Sequence, residues 1–176
     1  TIREISASPD GRYFLVLSSD RDNTWSLWRG DTEAGSRIAN ISGDATVAGI
    51  DDLRASCFAW SPNSRFAAVA GRDSITVLPT GSGSELTTVF GNQSASGVNA
   101  MTFSVDGQQV VAVGDEGSIQ TLDIDELSNN STPASHIRSV GESDFVCVSA
   151  ASDGKLFAGG TKDGGVIVWN FDEAPK

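Results

Sequence analysis

Four times along the chain the same order of apolar and polar positions returns. A short β-prone run stops at a turn signal, a second apolar run follows, a polar turn interrupts it, and a third run closes on Trp or Leu. The first copy holds Ser8-Pro9-Asp10-Gly11, the run Tyr13 to Ser19 and the close Trp25-Ser-Leu-Trp28. The second holds Ser61-Pro62-Asn63-Ser64, Phe66 to Gly71 and Ile75-Thr-Val77-Leu78. The third holds Ser104-Val105-Asp106-Gly107, Val110 to Gly114 and Ile119-Gln-Thr-Leu122. The fourth holds Ser152-Asp153-Gly154, Leu156 to Gly160 and Val166-Ile-Val168-Trp169. Pro presets φ, Asp or Asn hydrogen-bonds its own backbone, and Gly supplies a positive φ, so each signal predicts a tight turn between two strands.

Anchored on Gly11, Ser64, Gly107 and Gly154, successive copies lie 53, 43 and 47 residues apart. From each anchor to the closing Trp28, Leu78, Leu122 or Trp169 the distance is 17, 14, 15 and 15 residues. A constant interior with a variable exterior describes hairpins joined by adjustable loops. A weaker fourth run lies between copies, at Arg37 to Ser42, Glu85 to Phe90 and Ser135 to Val140. Three hairpin-linked strands plus an outer one, returning at intervals near or somewhat above the ~40–45 residues of a typical blade, predict propeller blades. The expectation is an all-β chain, residues 1–176, built as four blades of four antiparallel strands. The repeats run approximately over 1–42, 43–90, 91–140 and 141–176, the last one incomplete.

On these residues the chain resembles the WD-repeat family of β-propellers, carried by Ser8-Pro9-Asp10-Gly11 with Leu27-Trp28 and by Asp163-Gly164 with Val168-Trp169-Asn170. It departs from the family where the Gly-His pair is reduced to Gly43-Asp44 and Gly91-Asn92, and where Leu78-Pro79 and Leu122-Asp123 replace the closing Trp-Asp. Ser-Pro-Asp-Gly followed by Ser19-Asp20-Arg21-Asp22 is also similar to periplasmic propellers of the TolB type. The WD resemblance implies closed rings, usually of seven blades, in which the last strand is borrowed from the other terminus. Against that, four repeats with one incomplete would leave an open strand edge and open apolar blade faces, both of which invite pairing. The expectation is therefore part of a larger, seven-bladed propeller, completed by missing parts of the same protein or by another chain. A compact four-bladed ring is the alternative.

Composition narrows the partners. Twelve basic against 23 acidic residues leave a net charge of −11. That balance disfavours nucleic acid, whose non-specific affinity rests on Lys and Arg neutralising phosphates. No run approaches the ~18 apolar residues a spanning helix needs, so no membrane partner is expected. Cys57 and Cys147 fall in inner strands of different blades, too far apart for a bridge. Two buried free thiols suit a reducing, intracellular compartment, cytoplasmic or nuclear. The sequons at Asn40, Asn92, Asn129 and Asn130 would matter only in a secreted chain.

Catalytic and cofactor chemistry finds little to stand on. The single histidine, His136, lies in an outer-strand run and reads as a solvent-facing residue. No nucleophile elbow, phosphate loop or metal-binding His pair is present. Gly81-Ser-Gly83 lacks the third glycine of a dinucleotide loop and reads as a connector. Asp20-Arg-Asp22 starts like a Ca²⁺ loop but lacks its Gly and its bidentate Glu. Arg29-Gly30-Asp31 reads as a turn rather than an integrin-type tripeptide. No enzyme, metal or cofactor is expected. Ser42 to Ala55 and Leu127 to Ser135 exceed ordinary hairpin loops, and Asp51-Asp52-Leu53-Arg54 is the better candidate contact loop.

What remains is a protein-interaction scaffold, a module of a multiprotein complex, since binding residues concentrate on loops held by a rigid frame. The WD resemblance implies that outer-to-inner loops and second-to-third-strand turns share one face, commonly used by partners. By motif position that face holds Arg21, Asp22, Arg54, Arg72, Asp73, Asp115, Glu116, Asp144, Lys162 and Asp163. The alternative is a recognition or sensor propeller attached to a catalytic or nucleotide-binding domain outside these residues.

Overall fold

The computed structural model describes residues 2–18, 25–30, 36–41, 56–71, 74–80, 89–91, 97–124 and 135–170. Ser18, Trp25, residues 36–41, Ser74, residues 89–91, Ser135 and His136 are described by their backbone only. The strands form four separate antiparallel sheets, each in chain order. The first joins β1 (Ile2–Ala7), β2 (Tyr13–Ser18), β3 (Trp25–Arg29) and β4 (Ser36–Ile41). The second joins β5 (Cys57–Trp60), β6 (Phe66–Ala70), β7 (Ser74–Pro79) and β8 (Val89–Gly91). The third joins β9 (Val98–Phe103), β10 (Gln109–Gly114), β11 (Ser118–Asp123) and β12 (Ser135–Ser139). The fourth has three strands among the described residues, β13 (Phe145–Ala150), β14 (Leu156–Thr161) and β15 (Val166–Asn170). These are propeller blades, forming part of a ring rather than a whole one.

The turn after each inner strand repeats one device. Ser8 Oγ donates to Asp10 Oδ1 (2.6 Å) and accepts from the Tyr13 N–H (3.0 Å), while the Arg12 N–H donates to the same carboxylate oxygen. Ser61 with Asn63, and Ser104 with Asp106, make the same set. In the fourth blade Ala151 replaces the serine, and only the carboxylate bond from Lys155 N–H to Asp153 remains. The residue that follows is left-handed every time: Gly11 at φ 71, Ser64 at 57, Gly107 at 73, Gly154 at 72. Ser64 accepts the cost of a side chain there because its Oγ receives the Asp10 N–H from the neighbouring blade at 3.0 Å.

Strand alternation then sorts each blade into two faces. The residues four and six after the anchor, Leu15 and Leu17, Ala68 and Ala70, Val111 and Val113, face the next blade. Those three and five after it, Ala67 and Val69, Val110 and Ala112, face the preceding blade. The result is three apolar cores, one between each successive pair of blades. Between blades one and two lie Leu15, Leu17 and Leu27 against Val69 and Leu78, with Phe58 and Trp60 packed alongside. Trp60 thus packs between the first two blades. Between blades three and four, Phe145 and Phe157 flank Trp169, at ring-centroid distances of 5.9 and 6.0 Å. Gly159 is needed there, because a Cβ would stand 2.5 Å from the Phe145 ring.

The two end faces differ. On blade four Val146, Val166 and Val168 are exposed, and on blade one Ile2 and Ile5 are. This corrects the expectation for the thiols. Both cysteines are free, yet Cys147 is exposed rather than buried, because it stands opposite Gly160 on the outward face of blade four. Cys57, packed between blades two and three, is partly buried. Burial pushes its thiol up from 9.0 to about 11.

Candidate interaction face

One end of the third and fourth blades gathers residues from four different segments. The β10–β11 connection is a tight turn over Asp115–Gly117, with Glu116 at φ 54 and Gly117 at φ 65. Gly117 packs against the backbone of Gly141, where a Cβ would come within 2.6 Å of a carbonyl oxygen. That contact lets the loop between β12 and β13 lie directly on the turn. Ser139 Oγ fastens it by donating to the Glu116 and Gly141 carbonyls at 2.8 and 3.1 Å.

From the loop, Asp144 reaches both ways. Its Oδ1 accepts the Glu116 N–H at 3.1 Å, its carbonyl accepts the Lys162 N–H at 2.8 Å, and its Oδ2 lies 3.7 Å from Lys162 Nζ. The ion pair is weak, because the Lys162 side chain is 75% exposed and a surface pair contributes about 0–1 kcal/mol. The backbone bonds do the positioning. Asn99 closes the other side: its amide donates to Asp115 Oδ1 at 2.7 Å and to the Phe145 carbonyl at 3.0 Å, bridging blades three and four.

Asp163 completes the group on the β14–β15 turn. The hydroxyls of Thr161 and Ser143 and the Gly165 N–H hold its carboxyl below the usual 3.8. Thus Asp115, Glu116, Asp144, Lys162 and Asp163 come together on one face. Arg21, Asp22, Arg54, Arg72 and Asp73 lie outside the described residues, as do Asp51 to Arg54, Asp20 to Thr24 and Gly81 to Leu86. Of His136 only the backbone is described, paired with Thr121. Sequence reasoning missed Asn99 and Ser139. The only signal for Asn99 was a polar amide at the start of an otherwise apolar strand.

Chemically the face offers fixed carboxylates and an ammonium, a set for hydrogen-bonded and charged recognition. Among the described residues no group of three or more His, Cys, Asp or Glu side chains is placed to hold a metal ion. Among them, too, no helix is long and apolar enough to cross a membrane. Gly30, in the tripeptide noted above, has a packing role: its N–H donates to the Arg12 carbonyl at 2.7 Å, and a Cβ would meet the Phe14 ring.

A family model described as WD domain, G-beta repeat, matches residues 1–29, 83–121 and 134–170. No curated protein matches the chain. Solved structures do. The chain is similar to U3-55K, with 16% identity and a TM-score of 0.76, over all of this chain and 51% of that one. It is similar also to the WD40 repeats of RRP9, with 16% identity and a TM-score of 0.75, over all of this chain and 50% of that one. At such identity the likeness concerns the fold. The chain spans about half the length of the solved chains it matches.

Proposed function

We propose, from the premise that this chain belongs to the WD domain, G-beta repeat family, that it is a non-catalytic scaffold for protein–protein contacts within a multiprotein assembly. The observation that carries this reading is the face on blades three and four. There, turns and loops from separate blades are bonded to one another rather than left to move. A surface fixed in advance loses less conformational entropy on binding, which favours a rigid docking platform. The partner-binding face takes in Asp115, Glu116, Asp144, Lys162 and Asp163, and by motif position Arg21, Asp22, Arg54, Arg72 and Asp73. Arg54 and Arg72 are its first anchors, since Arg is enriched among interface residues that dominate binding energy.

The net charge of −11 favours a protein partner over nucleic acid. The repeats run over approximately 1–42, 43–90, 91–140 and 141–176, and the setting is intracellular. The test is affinity capture with three forms of the chain. Arg54→Ala with Arg72→Ala, and Glu116→Ala with Lys162→Ala, should each lose partners held by the parent at an unchanged melting temperature. Lys155→Ala, on a turn at the opposite end of the blade, should keep them. Equal recovery by all forms would remove this face from consideration.

A further inference from the structure

We propose that the outer edge of blade three binds an extended, acidic segment of a partner protein, which adds to the sheet as a further strand beyond β12. Blade three has a neighbour on both sides, so this edge is not an end of the row. The order β9, β10, β11, β12 leaves β12 (Ser135–Ser139) paired on one side only among the described residues. Its pairing with β11 runs without a slip from Ser139 opposite Ser118 to Ser135 opposite Leu122. The Val140 N–H donates to the Gly117 carbonyl at 3.0 Å, which makes those two residues a hydrogen-bonded pair. Such pairs alternate along an antiparallel ladder, so Arg138 and His136 turn their backbone groups toward β11, while Ser139, Ile137 and Ser135 turn theirs away. A row of outward N–H and C=O groups in strand geometry is the template to which another chain pairs.

The other outer strands are better guarded against such pairing. β8 (Val89–Gly91) has three residues, and so short an edge offers little to pair with. β4 (Ser36–Ile41) shifts register against β3 between Leu27 and Trp28, the irregularity of a bulge, which bends an edge away. By contrast β12 is five residues long and regular, with Arg138 as its one formal charge.

Side chains fix the chemistry of the occupant. Ile137 lies opposite Gln120 and is 40% exposed, so an apolar residue set beside it covers surface that water now touches. Arg138 lies opposite Ile119, on the other face of the sheet. From Leu127 to Gly141 the sequence holds no Asp, Glu or Lys and one Arg, Arg138. In a chain of net charge −11 this edge is therefore locally positive. An added strand would meet Ile137 as a hydrogen-bonded pair and Arg138 as the closer, non-bonded kind, where opposite charges across strands attract. The segment that fits alternates apolar residues with Asp or Glu and holds itself by main-chain bonds, as in strand addition generally.

Amide hydrogen exchange on the isotope-labelled 176-residue chain tests this with two capped peptides, one alternating Val and Glu, the other Val and Lys. The saturating Val-Glu peptide should slow exchange of the Ile137 and Ser139 amides about tenfold, and the Val-Lys peptide should bind about fivefold more weakly. Ile137→Pro removes one outward N–H and no bond to β11, a place where edge strands accept Pro. In that variant Ser139 should lose the slowing while far-UV circular dichroism stays unchanged. Arg138→Glu leaves the backbone intact and should reverse the preference between the peptides; it decides the matter if the Pro variant unfolds. Unaltered exchange at both amides with either peptide would overturn the proposal. Equal binding of the two peptides, or slowing that persists in folded Ile137→Pro, would overturn it as well.

Discussion

Replacing Trp169 with Ala removes the largest side chain from the core between blades three and four. The indole is 3% exposed and lies between two rings, stacked on Phe157 at an interplanar angle of 19° and tilted at 59° to Phe145. A buried Trp or Phe cut to Ala costs about 3–5 kcal/mol, from lost transfer energy and an unfilled cavity. Each aromatic pair adds about 0.5–1.5 kcal/mol beyond burial, which places this site toward the upper end. Against a total stability of about 5–15 kcal/mol, that loss is a third or more. In urea, with a slope of about 2 kcal/mol per molar, the midpoint should fall by about 2 M. Far-UV circular dichroism is the readout, since the substitution also removes a fluorophore. Phe157→Ala should cost a similar amount alone, and the double variant less than the two losses together, because the rings share one contact. A midpoint shift below about 0.5 M for Trp169→Ala, equivalent to about 1 kcal/mol, would show that this cluster does not hold blade four on blade three.

Three other outcomes follow from the geometry. Ser64→Ala keeps the left-handed φ of 57 but loses the bond from Asp10 N–H, so it should cost about 1–2 kcal/mol, whereas Ser64→Gly also relieves the strain and should cost less; thermal unfolding of the pair reads the difference. With iodoacetamide near pH 8, exposed Cys147 should alkylate first by mass spectrometry, while Cys57, at about 11, holds only about one part in a thousand as thiolate; faster reaction at Cys57 would contradict its placement between blades. The Ser104 hydroxyl and the Gln108 N–H hold Asp106 below the usual carboxylate value, so its contribution is full above the unfolded 3.8 and is lost as pH falls through the lower folded value; Asp106→Asn, the residue blade two already uses as Asn63, should flatten the acid limb of the stability profile below about pH 4.

The blade pattern was legible because each of its signals is local. A Ser, an Asp or Asn and a left-handed residue within four positions close the turn by themselves, and the same four anchors that align the sequence share positive φ in the structure. What stayed out of reach depends on contacts between distant segments. Asn99 bridges Asp115 and the Phe145 carbonyl across two blades, and nothing in its own neighbourhood announces that. Cys147 misled for a related reason: it sits in an inner strand like Cys57, but whether an inner-strand residue is buried depends on which neighbouring blade covers its face. Arg54 and Arg72 remain candidates by motif position, while Asp115, Glu116, Asp144, Lys162 and Asp163 are placed together by bonded backbone turns.

The central claim is that four blades stack in chain order through three separate apolar cores. Methyl-labelled nuclear Overhauser spectroscopy tests it most directly. The account predicts cross-peaks from Val111 and Val113 to the rings of Phe145 and Phe157, from Ala68 and Ala70 to Met101 and Val110, and from Leu15 and Leu17 to Ala67 and Val69. Cross-peaks confined within single blades, or joining blades out of chain order, would contradict it.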